Sequence, residues 1–531
     1  MGSALKSEYS REWLQESDNE FKLLIKETKT MTPRKNHEQP MNRRRDTTYY
    51  NPQVNEKLDE NGNVKRRVRG TFGGNNLNYP YPTMSPTADK VLVKIHQNSV
   101  ISDRRNKKLD YRYMCVDLKS FYLGSKLDRS EWMLELTKFM SQDLISELKL
   151  EEYIHKDHIL FEVTGSLYGH PAAGRISNKD LVQHLERHGY TQSANVPCLF
   201  SNKNKSITFT LIVDDIGIKY VHGNNEIDHL LNILQKPISK WDIKIDRTGS
   251  QYNGQRLTWD YDKNTLITDV PNYVKQANHE LMPNKPIRKY NTPSMYEPFQ
   301  YGKSQMRDTK NYKSADARGK KFVERVHGKY LWYSQHGDPT FQPSLLYMST
   351  ELANPTTRTV EAAERIVGYA EKHPNRGVHY RASDMVLKIQ SDASHHGLPG
   401  SRSVAGGIFY LTDKNDPPDR LNGQIDTLCK IIDTSVCAAA SESEYATLYM
   451  NGQRGCHPRV ILNELGYTQP PTTIYTDNIV AKGIAHDEVT LRRSKAIHTR
   501  YHWIRDRVRQ NQYKIKYLKG TKLDADFFTK P

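Results

Sequence analysis

Residues 210–220 read T-L-I-V-D-D-I-G-I-K-Y and set two adjacent carboxylates between two short apolar runs. Runs of this length bounded by polar residues predict strands. Leu211, Ile212 and Val213 form one arm of an expected hairpin, Ile216 to Tyr220 the other, with Asp214 and Asp215 at the bend. Like charges held this close repel strongly at low effective dielectric, so a fold keeps them where a cation stands beside them. Lys219 is the one cation within the stretch, and a divalent metal is the natural candidate. A solvated D-D turn is the competing reading. Against it stand the apolar flanks and a second carboxylate in a similar setting, Asp117 in Y-R-Y-M-C-V-D-L-K-S-F-Y.

The rest of the chain sets bounds on that reading. A length of 531 residues exceeds what one core supports, so at least two are expected. Lys and Arg total 78 against 61 acidic residues, a net charge of +17. A polyanionic partner follows from that excess, with a basic solubilising surface as the alternative. The five cysteines are scattered and form no C-x-x-C pair, which argues against a disulfide scaffold or zinc knuckle and for a reducing compartment. With no apolar run of 18 residues and no apolar leader at Met1, a soluble, non-secreted protein with no membrane partner is expected. Lys6 replaces the Ser or Thr of a myristoylation signal.

Along the chain, residues 9–28 predict an amphipathic helix around Trp13, Phe21 and Leu24, and 31–62 an irregular polar segment whose Arg43-Arg44-Arg45 is a candidate phosphate contact. The turn Asn61-Gly62-Asn63 leads into a strand over 64–70 with four cations, Lys65, Arg66, Arg67 and Arg69. Such a strand has a phosphate neighbour or is an edge guarded by charge. A helix is expected over 129–149. The turn G-S-L-Y-G-H-P-A-A-G-R at 165–175 opens another helix, a place where phosphate can be cradled. Residues 281–384, rich in Pro, Lys and Tyr, read as a connecting region with a helix over 359–370.

After Asp384 the pattern changes to strands, and their ends deliver a second set of acids: Asp392, Asp477 and Asp526, with Glu444 at a helix start. Ser441-x-x-Glu444 also fits a capping box, which by itself would account for both residues. Arg492, Arg493, Lys495, Arg500, Arg505, Arg507 and Arg509 decorate an expected helix with an apolar stripe at Ile497, Tyr501, Ile504 and Val508, a basic face suited to a polyanion. His498 and His502 have zinc spacing, but no Glu or Cys accompanies them.

Phe200, Val213-Asp214-Asp215, Leu167-Tyr168-Gly169, Leu127-Asp128-Arg129 and Asp117 with Tyr122 five residues on resemble the reverse transcriptase of copia-type (pseudoviral) LTR retrotransposons. Trp13, Glu20, Gly62 and Lys65-Arg66-Arg67 upstream, and Tyr252-Asn253-Gly254 and Thr292-Pro293 downstream, are similar to the same pattern. The S-D-A at Asp392, S-E-S-E-Y at Glu444, T-D-N at Asp477 and A-D-F-F-T-K-P at Asp526 resemble that family's ribonuclease H domain, in which the Glu directly before Tyr445 is the catalytic one rather than Glu442. The resemblance covers almost the whole chain.

It implies an α+β right-hand polymerase (fingers, palm, thumb) over 1–280, a connection over 281–384, and an α/β ribonuclease H-like domain over 385–531. The implied function is RNA-directed and DNA-directed DNA polymerase with ribonuclease H activity; the alternatives are a nuclease with an inactive polymerase, or a non-enzymatic nucleic-acid-binding relic. Asp117, Asp214 and Asp215 would be the polymerase metal ligands, and Asp392, Glu444, Asp477 and Asp526 those of the nuclease, with two Mg2+ or Mn2+ ions at each site. Lys65, Arg67, Tyr122 and the position of Ala172 would meet the nucleotide, Tyr122 under the sugar, with Phe121 in its place if the register shifts by one. Ala172 stands where the family has Gln, and Ile212 where Tyr is usual before V-D-D. Arg492, Arg493 and Arg500 would contact nucleic acid. Implied partners are an RNA template, a DNA primer, an RNA:DNA hybrid and dNTP, with an element-encoded integrase and Gag particle in association. The implied location is cytoplasmic, within virus-like particles, with nuclear access.

Overall fold

The protein is described here by a computed structural model covering residues 1–58, 64–283, 285–295, 312–398, 401–418, 420–432, 436–488 and 499–530. The N-terminal helix Ser10–Lys22 buries Trp13, Ser17, Glu20 and Phe21, a stripe that a 3.6-residue period places on one face. That face packs on the strand Val64–Phe72, where Glu20 Oε1 accepts a hydrogen bond from the Gly70 amide (2.8 Å).

This strand is one edge of a fingers sheet ordered Met31–Arg34, His158–Gly165, Lys126–Leu136, Thr48–Leu58, Val64–Phe72. Two expectations fail here. The segment read as irregular over 31–62 supplies two strands, and the helix expected over 129–149 is largely the strand Lys126–Leu136, followed by the short helix Gln142–Glu147. The physical reason lies in Glu131 and Glu135, spaced like the polar face of a helix but both buried in the sheet. Glu131 is compensated by the guanidinium groups of Arg43 and Arg129, and burial pushes Glu135 up to about 9. Arg43 is therefore a structural ion-pair partner rather than a phosphate contact.

The palm sheet runs Asp242–Asp246, Tyr111–Lys119, Asp215–Val221, Thr208–Ile212, Leu199–Ser201, Thr191–Gln192, with every pair antiparallel. Against it lies the helix Lys90–Lys107, capped by Asp89, whose carboxylate accepts from the Val91 and Leu92 amides. Every residue of this helix from Val91 to Asp103 is buried, including Lys94, His96, Gln97, Asn98 and Asp103. Its second side is covered by the C-terminal domain: Tyr467 donates to Asp103 (2.7 Å), His457 Nε2 lies 2.6 Å from Asp89, and Arg105 pairs with Asp384 and Asp413. One hydrophobic core thus runs from Tyr113 and Phe209 of the palm through Ile95 and Ile101 to Leu387 and Leu448.

A four-stranded sheet, Gln251–Tyr252, Gln255–Asp260, Thr265–Asp269 and Gly377–Arg381, follows the palm. The helices Tyr273–Leu281, Ala317–His336, Gln342–Ser349 and Thr357–Lys372 pack around Val274, Tyr330, Tyr333, Phe341 and Ile366 in a core of their own. The boundary expected at 280 falls inside this helical body, and the strand Gly377–Arg381 returns to a sheet begun before it.

The C-terminal sheet is ordered Gln424–Ile431, Arg402–Thr412, Val386–Leu398, Thr472–Thr476, Tyr513–Tyr517, antiparallel at first and parallel over the last two pairs. The helix Ala440–Glu464 crosses it. Among the described residues, no helix is long and apolar enough to cross a membrane.

Candidate active sites

In the palm, Ile212 faces Asp215 in register, so the bend is Val213-Asp214 and Asp215 is the first residue of the return strand. Val213 has φ 57°, left-handed backbone that a β-branched side chain rarely adopts. Asp215 opposes Asp117, and Asp117 opposes Lys244 on the neighbouring strand. Directly opposed residues of antiparallel strands project from the same face, so Asp215, Asp117 and Lys244 form one row across the sheet. Asp214 joins them from the bend, where its carbonyl accepts from the Leu118 amide (3.0 Å).

Burial and the neighbouring Asp117 raise the Asp214 carboxyl, against the pull of Arg69. Burial, Asp214 and Asp117 push Asp215 up to about 6. Lys219 does not relieve them: it is buried at the central helix, where its Nζ donates to Ser99 (2.9 Å) and Asp103 (2.6 Å).

Strand alternation separates the four cations of Val64–Phe72. Arg66 is turned to the N-terminal helix, over the Tyr9 ring (3.8 Å) and paired with Glu12 and Glu56. Lys65, Arg67 and Arg69 share the other side; Lys65 and Arg67 are exposed, and Arg69 lies 4.2 Å over the Tyr168 ring, close enough to act on Asp214. Tyr168 meets Tyr122 edge to face (5.3 Å). Burial, then Asp214, raise the Tyr122 hydroxyl. Phe121 is 2% exposed in the core, with its carbonyl accepting from Trp241 Nε1 (3.2 Å). Of the two neighbours, Tyr122 borders the site.

Ala172 is fully buried at the start of the helix Ala173–Arg187, so its side chain meets protein rather than a nucleotide. The turn before it is also occupied: Phe72 N donates to Tyr168 O (2.6 Å), and a Cβ at Gly169, which has φ 86°, would lie 2.4 Å from the Phe72 carbonyl. The phosphate cradle expected at 165–175 is thus filled by the end of the fingers strand.

The C-terminal acids come from three kinds of element. Asp392 lies within the strand Val386–Leu398, which continues past the point where it was expected to end. Glu444 is one turn into Ala440–Glu464, and Asp477 follows Thr472–Thr476. Among the described residues these are the three His, Cys, Asp or Glu side chains whose ligand atoms lie within 4.8 Å of one another. Asp526, in the 3-10 turn Asp524–Thr529, stands beside them paired with Lys530, and its charge helps raise both Asp392 and Asp477.

The competing capping-box reading of Ser441 and Glu444 does not hold. Ala439 occupies the cap, and the Ala438 amide donates to Glu442 (2.7 Å), which frees Glu444 to point to the aspartates. Glu444 Oε1 accepts from the Ala393 amide (3.3 Å), while Oε2 is buried with no hydrogen-bond partner among the described residues. Burial, Asp392 and Asp477 push it up to about 9. Burial and the aspartates push Asp392 up to about 6, although Thr529 Oγ1 donates to it. Three converging carboxylates and an orphaned buried oxygen fit a divalent cation. A Cβ at Gly520 would lie 2.8 Å from Asp477 Oδ2, so a side chain there would displace that carboxylate.

Arg492 and Arg493 lie outside the described residues, as do Lys495, Ile497, His498 and the Asn61-Gly62-Asn63 turn. Arg500 is held on aromatic rings, 5.0 Å over Tyr501 and 5.9 Å over Tyr449. Arg505 and Arg509 both pair with Asp487. Of the residues bordering the sites, sequence reasoning missed Lys244, and it met Arg69, Tyr168 and Thr529 only within the four-cation strand, the L-Y-G motif and A-D-F-F-T-K-P, with no role given to each. Alternation from Lys65 and Arg67 pointed to Arg69; Lys244 depends on a strand register that no local pattern encodes.

No family model matches the chain. The "Retrovirus-related Pol polyprotein from transposon TNT 1-94" of Nicotiana tabacum is 24% identical over 419 residues, 77% of this chain and 30% of its own length. That from transposon RE1 of Arabidopsis thaliana is 24% identical over 438 residues, again 77% of this chain and 27% of its own. The chain therefore spans less than a third of the curated relatives it matches. A foamy viral protease-reverse transcriptase dRH in complex with double-stranded DNA superposes with a TM-score of 0.50 at 10% identity, covering 94% of this chain and 69% of that one. The chain has the right-hand polymerase fold followed by a ribonuclease H-like domain, and its homologues are the Pol polyproteins of plant copia-type transposons.

Proposed function

We propose that the chain synthesises DNA on RNA and DNA templates at Asp117, Asp214 and Asp215, and cleaves the RNA of an RNA:DNA hybrid at Asp392, Glu444, Asp477 and Asp526. The observation that carries this reading is that one chain brings together two separate sets of acids, each with carboxyls raised by burial and by one another. Such clusters mark sites built to work with added positive charge.

Mg2+ or Mn2+ bound at either set would supply Lewis acidity toward a phosphoryl group and its attacking oxygen. The chain's own residues do the positioning. Asp117 and Asp215 are fixed by their shared register, and Asp214 by the bend stitched to Leu118. Arg69 offers a guanidinium to nucleotide phosphates, steadied on the Tyr168 ring. Tyr122 lies where a ring would crowd the 2′-hydroxyl of a ribonucleotide. At the second site, Thr529 and the Ala393 amide orient Asp392 and Glu444.

Primer extension on an RNA template with magnesium, run beside cleavage of a labelled RNA in a hybrid, tests both halves. Extension and cleavage are the expected results, and absence of both in folded protein would overturn the reading. The closer assembly of the second set favours one alternative, a nuclease with an inactive polymerase. Cleavage without extension would establish it.

A further inference from the structure

Beside the hairpin of Gln251–Tyr252 and Gln255–Asp260 lies a groove of about 630 Å³ that the palm carboxylates do not line. Three segments supply its cations, Arg112, Arg247 and Arg256, and a fourth places the His222 imidazole beside them. Among the described residues, no Asp or Glu lines it. Like charges gathered from separate segments create a potential that attracts an anion. Two of the three arginines are paired with acids at the rim, and a third acid is held by its own loop. Asp110 accepts from Arg112 Nε (2.8 Å), Asp269 from Arg256 Nε (2.9 Å), and Asp246 from Thr248 and Ser250. Arg247 is exposed and has no carboxylate partner among the described residues.

The groove also has a rigid aromatic wall. Trp259 and Tyr261 lie parallel, 1° apart in plane and 5.6 Å between centroids. Trp259 Nε1 donates to the Gly249 carbonyl (2.9 Å), and the Tyr261 hydroxyl accepts from the Tyr113 amide (3.1 Å). The Arg112 guanidinium sits 4.1 Å over Tyr261. Side chains fixed in advance lose little entropy when a ligand arrives. Arginines beside flat rings form the surface that tracks a nucleic-acid strand, phosphates on the cations and bases against the planes. Ser250 and Arg256 line both this groove and the cleft at Asp117 and Asp215, so a strand leaving the cleft meets the groove across the hairpin root.

We propose that this groove is a second nucleotide-phosphate site, occupied by a single strand of DNA or RNA. The identity of the strand rests on the nucleic-acid function proposed above; the cationic groove does not. The test uses the full chain and an oligothymidylate carrying iodouracil, photocrosslinked while excess unlabelled RNA:DNA hybrid fills the carboxylate cleft. Crosslinks to Trp259 or Tyr261 are expected. Arg247→Glu and His222→Glu should each lower their yield about tenfold and leave hybrid cleavage unchanged. In Arg247→Ala the slope of log affinity against log salt should flatten by about 0.7. Crosslinks confined to peptides bearing Asp117 or Asp215, or an unchanged yield in Arg247→Glu, would overturn the proposal. Displacement of the strand by submillimolar ATP would replace it with a mononucleotide and overturn the strand as occupant. A chain that fails to extend primers yet keeps these crosslinks loses the proposed polymerase activity but not the groove.

Discussion

The two carboxylate sets solve the same electrostatic problem differently. The C-terminal acids converge from a strand, a helix and a strand end, within 4.8 Å of one another, and Glu444 is raised to about 9. With no cation bound, burial and mutual repulsion favour a proton on Glu444 around neutral pH. The palm acids lie in a row on one sheet, with Lys244 at its end and Arg69 nearby, and Asp215 is raised only to about 6. One site is closed by its own fold. The other stays open on the side where substrate phosphates would complete it.

The comparison breaks first at the ligands themselves. Asp215→Asn should abolish DNA synthesis and spare RNA cleavage, and Asp477→Asn the reverse, each by more than the roughly 100-fold that losing an outer-shell partner costs. Paired assays on both variants check this; loss of both activities from either change in folded protein would show the sites to be coupled.

A second test sharpens the contrast through stability. Glu444 is ordinary in the unfolded chain and raised when folded, so between about pH 4.5 and about pH 9 the native state holds the extra proton. Stability of the metal-free protein should therefore fall as pH rises through that window and be fullest below it. Glu444→Gln should flatten the slope and raise Tm near pH 8 while abolishing cleavage, and magnesium should narrow the difference. Thermal melts of both proteins across pH decide it; parallel slopes would mean that Glu444 is not the group responsible.

At the open site the expected effects are smaller. Tyr122→Val should admit ribonucleotides with modest loss of dNTP use, whereas Phe121→Val should leave selectivity intact and destabilise by roughly 2 kcal/mol, as truncation of a buried ring does. Competition between rNTP and dNTP separates them. Ala172→Gln should not tighten nucleotide binding, because a long polar side chain at a fully buried position overpacks the helix start, at about 1–3 kcal/mol. A denaturation midpoint that falls while KM for dNTP stays constant would bear this out; a lower KM would place position 172 in the cleft after all.

Where local pattern carries the information, the sequence was readable. The apolar arms around Asp214, the strand leading to Asp117 and the alternating segments after Asp384 each declare themselves within about ten residues. Glu444 was ambiguous because Ser441 offered it a capping role, and only the bond from Ala438 to Glu442 separates the two readings. The strand Lys126–Leu136 was misread because buried glutamates look like surface charges until their surroundings are known: Glu131 is paired with two arginines and Glu135 is raised by burial. Lys244 was invisible for a related reason: facing Asp117 is a property of register, not of its neighbours in the chain.

The helix Lys90–Lys107 is clasped on one side by the palm sheet and on the other by the C-terminal domain. A shared beam of this kind makes the molecule a caliper. The gap between the place where a strand would be extended and the place where its template would be cut is spanned by side-chain packing along Val91 to Asp103. The two ends of a hybrid would be measured against a fixed length of protein. Severing the chain before residue 385 would remove one jaw and bare a buried helix carrying Lys94, Gln97 and Asp103, so neither half would be expected to keep its shape when expressed alone.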